Sequence, residues 1–147
     1  MSAPPAVTSP GRTGRVSPGD VLPELAIPIT RTLIVAGAIA SRDYQDVHHD
    51  AVLAVQRGSK DIFMNILTTN GLVGRYVTDW AGPDAIITRV AIRLGAPNYP
   101  DDTMVFSGEV TGAEKRDGRD HLTVAVRGAN SLGDHVVGTV ELNVPTC

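Results

Sequence analysis

At 147 residues and 15.5 kDa the chain has the size of one domain that folds without a disulfide or metal staple. Its 13 basic and 16 acidic residues are scattered and give a net charge of -3, which excludes a basic stripe for nucleic acid. The single cysteine, Cys147, excludes an internal disulfide and a cysteine-built metal cluster, and it fits a reducing, cytoplasmic compartment.

Residues 1–19 are rich in Pro, Ser, Ala and Gly and, despite Arg12 and Arg15, lack the apolar run of a secretory signal. They read as a disordered tail ahead of one domain spanning residues 20–147. Leu25, Ile27 and Ile29 alternate as in a strand, and Pro23 and Pro28 make it short or place it at an edge. Thr30 then fits the N-cap of a helix over Arg31–Ala40, although Ile34, Val35 and Ile39 suit a strand equally and Gly37 weakens a helix by about 1 kcal/mol. The most apolar stretch, Leu33–Ala40, is less than half of the roughly 18–20 residues that cross a bilayer. After Ser41 comes a polar loop, Arg42–Asp50.

From Met64 to Trp80 the apolar residues recur at helical spacing, with Ile66, Thr69, Val73, Tyr76, Val77 and Trp80 on one face. Gly71 and Gly74 inside this helix each cost about 1 kcal/mol against Ala, which is most easily offset where a sheet wraps too closely to admit side chains. Gly82-Pro83 ends the helix and the period changes to two. Strands are predicted around Ile86–Leu94, Met104–Val110, Leu122–Val126 and Val136–Val144, with turns at Asp117-Gly118 and Asn130–Gly133. The sum is an α+β domain: one antiparallel sheet curled around one long helix, the hot-dog arrangement.

The polar loop holds three Asp, two His and one Arg in nine residues. Asp43 and His48 are five apart, an offset that a helix would turn by about 140°, so only a folded-back loop brings carboxylate and imidazole to one water. By spacing alone most such pairs are solvated surface groups. Asp46 fits a turn cap. His48, His49 and Asp50 lack the spacing of a zinc site. His121 and His135, on or beside strands with no nucleophile near, read as surface groups, and Lys60 and Arg75 as solvated cations.

The run Asp43-Tyr44-Gln45-Asp46-Val47-His48 resembles the hydratase motif of the MaoC-like (R)-specific enoyl-CoA hydratases, usually Asp-x-Asn-Pro-aliphatic-His. It matches at Asp43, Val47 and His48 and departs at Gln45 and Asp46. Within that family Ser41–Asp50, Gly58–Leu67 and Arg75–Gly82 resemble the small catalytic subunits of actinobacterial steroid side-chain hydratases, and the resemblance covers Gly19 to Val144.

The resemblance implies that Asp43 and His48 act on the water added to a cholesterol-type side-chain enoyl-CoA. It places Asn65 where a backbone N–H faces the thioester oxygen, although a helix-start Asn is equally satisfied by its own backbone. It implies no metal or redox cofactor, coenzyme A being part of the substrate. It also implies a larger MaoC-like partner subunit with an added zinc-ribbon/OB-type domain in an α2β2 heterotetramer. The rival readings are a hot-dog acyl-CoA thioesterase, against which Met64–Asn70 lacks a carboxylate, and a non-catalytic assembly subunit, which has no need of both Asp43 and His48.

Overall fold

The computed structural model describes residue 12 and residues 14–146. The chain runs β1 (Val21–Ile29), α1 (Arg31–Ala40), a single 3-10 turn (Asp46–His48), α2 (Ala51–Gln56), α3 (Ile66–Ala81), β2 (Ile86–Leu94), β3 (Asp102–Arg116), β4 (Arg119–Asn130) and β5 (Gly133–Pro145). The five strands form one antiparallel sheet in the order β1-β3-β4-β5-β2. This is the α+β hot-dog arrangement expected from the sequence, with α3 against the concave face.

Local chemistry accounts for most boundaries. The Thr30 hydroxyl oxygen accepts from Leu33 N at 3.0 Å and starts α1, which is a helix and not the alternative strand. Pro23 falls where the β1–β3 register shifts, between Leu22 and Leu25, on an edge strand that tolerates a missing donor. Asp117 (φ 53°) and Gly118 (φ 72°) both take left-handed angles, as a two-residue β3–β4 hairpin turn requires. α3 begins at Ile66, two residues later than the periodicity alone suggests, because Met64 N is bonded to Asn98 O and Asn65 is the cap.

The core lies between α3 and the sheet. Thr69, Val73, Tyr76, Val77 and Trp80 of α3 are buried against Ile27, Phe106, Val124, Val140 and their neighbours. Each fully buried apolar side chain contributes about 1.5–3 kcal/mol, so this face outweighs the glycines that α3 carries. Ile66, by contrast, is 52% exposed at the open end of the helix. The core also draws in residues before position 20: Val16 is buried, and Gly19 N donates to Val110 O at 2.8 Å. The rest of the expected tail, residues 1–11 and 13, and Cys147 lie outside the described residues.

The glycines of α3 do not serve close packing. A methyl group at Gly71 would meet nothing within 4 Å and one at Gly74 would make an ordinary contact at 3.7 Å, because Gly71 lies on the exposed side of the helix. The close approach is elsewhere: a methyl group at Gly37 of α1 would fall 2.1 Å from Thr68 Oγ1 and 2.9 Å from Thr68 Cγ2 of α3. We therefore expect opposite signs from two formally similar changes, read as urea midpoints. Gly37→Ala should destabilise by about 1–3 kcal/mol through overpacking, whereas Gly71→Ala should stabilise by about 0.5–1 kcal/mol through helix propensity.

Candidate active site

The C-terminus of α1 aims the first side chain. Arg42 takes a left-handed φ of 57°, Arg42 N donates to Ile39 O at 3.0 Å and Asp43 N to Ala38 O at 2.9 Å. This is the Schellman closure of a helix, and it turns the chain so that Asp43 points back along α1 toward the start of α3. The 3-10 turn then brings His48 round, with His48 N donating to Gln45 O at 3.1 Å.

The turn is anchored from outside. Asp46 Oδ2 accepts from Arg57 at 2.6 Å, and that guanidinium holds the Asp46 carboxyl below the usual carboxylate range. Asp50 caps α2 through Leu53 N at 3.0 Å, and His49 is exposed, 3.2 Å from Tyr44 O.

His48 is buried, its ring meeting the edge of Phe63 at 4.9 Å. Its Nδ1 lies 2.7 Å from Phe63 O, and since a carbonyl only accepts, Nδ1 carries a proton and Nε2 faces the site. Nε2 is 3.4 Å from Asp43 Oδ2, with the two side chains 7% and 19% exposed. The pair is shielded, unlike the screened ion pairs of the surface, yet longer than a strong charge-assisted bond. Two acceptors at this separation accommodate a small donor that touches both.

Asn65 joins them. Its Oδ1 accepts from Thr68 N at 3.0 Å and from Thr68 Oγ1 at 2.5 Å, while Nδ2 donates to Ser41 Oγ at 2.9 Å and to Asp43 Oδ2 at 3.1 Å. Its backbone N–H has no acceptor among the described residues and lies at the positive end of α3. The structure thus brings all three sequence-derived residues together around a pocket of about 330 Å³, walled by Phe63, Met64, Leu94, Ala96 and Pro97.

His135 lines the same pocket and is 2% exposed, not at the surface as its position on the strand suggests. Strict alternation with Val136, Val140 and Leu142 fails here because β5 carries a bulge: Gly128 pairs with Val136 and Ala129 with Asp134, leaving His135 without a partner on β4. Its Nδ1–H donates to Ala96 O at 2.6 Å and its Nε2 accepts from Thr69 Oγ1 at 2.8 Å, so it bridges the pocket wall to α3. Nothing in the strand pattern announces the bulge.

The other sequence candidates stay apart from the pocket. His121 is half-buried on β4, Lys60 lies 5.7 Å from the centre of the Tyr99 ring, and Arg75 pairs with Asp79 at 3.3 Å. Among the described residues no group of three or more His, Cys, Asp or Glu side chains is placed to hold a metal ion, and no helix is long and apolar enough to cross a membrane.

Comparison with known proteins gives this geometry a context. Residues 16–131 match the family described as the MaoC like domain. The 3-oxo-4,17-pregnadiene-20-carboxyl-CoA hydratase beta subunit of Mycobacterium tuberculosis is 59% identical over 126 residues, covering 86% of this chain and 95% of that protein. A crystal structure of the ChsH1-ChsH2 complex from Mycobacterium tuberculosis contains a chain 57% identical to this one with a TM-score of 0.82, over 88% of this chain and 99% of that one. The unliganded R-hydratase PhaJ1 of Pseudomonas aeruginosa shares the fold at 23% identity and a TM-score of 0.79, over 90% and 84% of the two chains.

Burial pushes the His135 imidazole below its ordinary value, against the opposing bond to Ala96. A base whose pKa is lower folded than unfolded contributes stability above its unfolded pKa of about 6.5 and loses it as pH falls toward the folded value. We expect urea midpoints of the wild type to decline between about pH 6.5 and 5, and the decline to be shallower in His135→Gln. Equal slopes in the two proteins would show that this histidine is not charged on unfolding.

Proposed function

The chain belongs to the MaoC-like domain family, and from that membership we propose that it is the catalytic subunit of an enoyl-CoA hydratase acting on a steroid side-chain thioester. The observation that carries the reading is the pairing of Asp43 Oδ2 and His48 Nε2, 3.4 Å apart, beside the Asn65 N–H at the start of α3, which has no acceptor among the described residues. The relative named as a 3-oxo-4,17-pregnadiene-20-carboxyl-CoA hydratase subunit supports the substrate class, an α,β-unsaturated CoA thioester joined to a steroid.

In this mechanism one water, about 2.8 Å from both acceptors, gives one hydrogen bond to Asp43 Oδ2 and the other to His48 Nε2. Its free lone pair attacks the β-carbon. The C–O bond forms as one O–H bond breaks, and the alkene electrons move onto the thioester oxygen as an enolate. That oxygen gains charge at the N-terminus of α3, where the Asn65 N–H and the helix dipole favour it. The proton left on the acid–imidazole pair then goes to the α-carbon. Atoms and electrons balance with no oxidant or reductant, so the reaction as proposed calls for no cofactor beyond the CoA carried by the substrate, and it fits a cytoplasmic site.

The assembly follows the same reading. A pocket of about 330 Å³ sits at the small end of ligand sites, roughly 300–1,000 Å³. A fused-ring acyl group on CoA extends beyond it, and a second chain is needed to enclose the remainder. The similarity to a chain of the ChsH1-ChsH2 complex supports a heteromeric assembly. Its expected form is an α2β2 heterotetramer in which the partner is a larger MaoC-like subunit with an added zinc-ribbon/OB-type domain.

The test is the loss of enoyl-thioester absorbance by the co-produced complex, supplied with a steroid side-chain enoyl-CoA. Asp43→Asn and His48→Ala should each lower kcat by about 100-fold or more in folded protein, with the urea midpoint lowered in His48→Ala because the change empties a buried site. Wild-type rates in both variants would remove the pair from the chemistry. Release of free CoA in place of hydrated product would make the protein a thioesterase.

A further inference from the structure

We propose that Asn65 is a positioning residue for the Asp43 carboxylate, acting through its side-chain amide and independently of its backbone N–H and its capping of α3. The inference rests on the hydratase reading for its kinetic consequence, while the positioning itself is a matter of geometry that can be read without catalysis.

Asn65 is 2% exposed and its side chain is fully used. The Thr68 N–H and hydroxyl both donate to Oδ1, which fixes that end of the amide as the acceptor. Nδ2 has two hydrogens and two acceptors, Ser41 Oγ at 2.9 Å and Asp43 Oδ2 at 3.1 Å. Ser41 Oγ in turn donates to Gly37 O at 2.7 Å, so its lone pairs are left for Asn65. A reversed amide would set Oδ1 against a carboxylate and lose both Thr68 bonds. The network therefore admits one orientation, and that orientation directs a donor at the carboxylate oxygen that lies 3.4 Å from His48 Nε2.

Capping alone does not require this residue. Ser and Asp serve an N-cap about as well as Asn, but neither supplies an acceptor for Thr68 and, one heavy atom further on, a donor that reaches Asp43. The other contact to the carboxylate is long, Gln45 N to Oδ1 at 3.4 Å. Without the amide, Asp43 keeps its backbone anchor at Ala38 O but loses the short contact that sets its carboxylate relative to His48.

The experiment compares Asn65→Asp, which keeps shape and cap but turns the donor into a carboxylate oxygen facing Asp43, with Asn65→Ser, which keeps the cap and removes the donor without adding a charge. Both are studied in the complex with only this chain isotopically labelled. We expect kcat to fall by about 10- to 100-fold, as for a catalytic group displaced by an ångström, with KM within about two-fold and with urea midpoints lowered by the broken buried hydrogen bonds while the variants stay folded in buffer. The His48 Nε2 resonance in ¹H–¹⁵N spectra should move toward its position in Asp43→Ala. Unchanged kcat and an unmoved Nε2 resonance in a folded variant would overturn the proposal and leave Asn65 a cap. If Asn65→Asp does not fold, Asn65→Ser gives the same reading. Should the wild-type complex fail to hydrate enoyl thioesters while the resonance still moves, the positioning stands and the hydratase reading falls.

Discussion

The approach of α1 to α3 at Gly37 and Thr68 is the contact on which the rest of the site depends. With no side chain at Gly37, Thr68 comes close enough for the last turn of α1 to lie beside the first turn of α3. Thr68 then serves twice, as the residue packed against α1 and as the donor that locks Asn65 Oδ1. From Asn65 the connection runs to Ser41 and Asp43, both on the chain leaving α1. Two helices, one cap and one carboxylate are thus a single packed object, in which a loss at any member is transmitted to the others.

Around this object the polar groups are sorted by sense. On one side of the pocket Asp43 Oδ2 and His48 Nε2 stand as acceptors, because the other ring nitrogen of His48 is committed to Phe63 O. On the other side the start of α3 presents donors and the positive end of its dipole. Such an arrangement draws hydrogen toward the acid–imidazole pair and electron density toward the helix, which is the direction charge moves when water adds to a conjugated thioester. His135 contributes nothing to this polarity. It acts as a neutral tie between Ala96 and Thr69 that keeps the wall at a fixed distance from the helix.

Much of this was legible in the sequence, for identifiable reasons. Thr30, the Asp117-Gly118 turn and the two-residue alternation of β2 to β5 are local signals, and local physics decides them. Asp43 and His48 were legible as a pair only because a motif joined them, and Asn65 only because the resemblance singled out its backbone N–H. What its side chain does depends on Ser41 and Asp43, 24 and 22 residues away in sequence. The glycines misled for the same reason: composition reveals that Gly71 and Gly74 burden a helix, but only the packing of α1 shows that, of the glycines in the helices, Gly37 is the one whose missing side chain is used. Helix α2, six residues long, left no periodicity to read.

The bulge in β5 has a consequence for how this pocket is inherited or borrowed. His135 is an added residue in the ladder, opposite no residue of β4, so the strand on either side keeps its inward face whether or not the addition is there. Exchange of one amino acid for another cannot create this feature in a relative with an unbroken β5. Lengthening the strand by one is required, together with a glycine at the place of Gly95, where a methyl group would fall 2.3 Å from Asp134 O. Alignments that count matching residues but ignore single-residue insertions will therefore misjudge which relatives share this wall, and a designer transplanting it must move the extra residue along with the histidine.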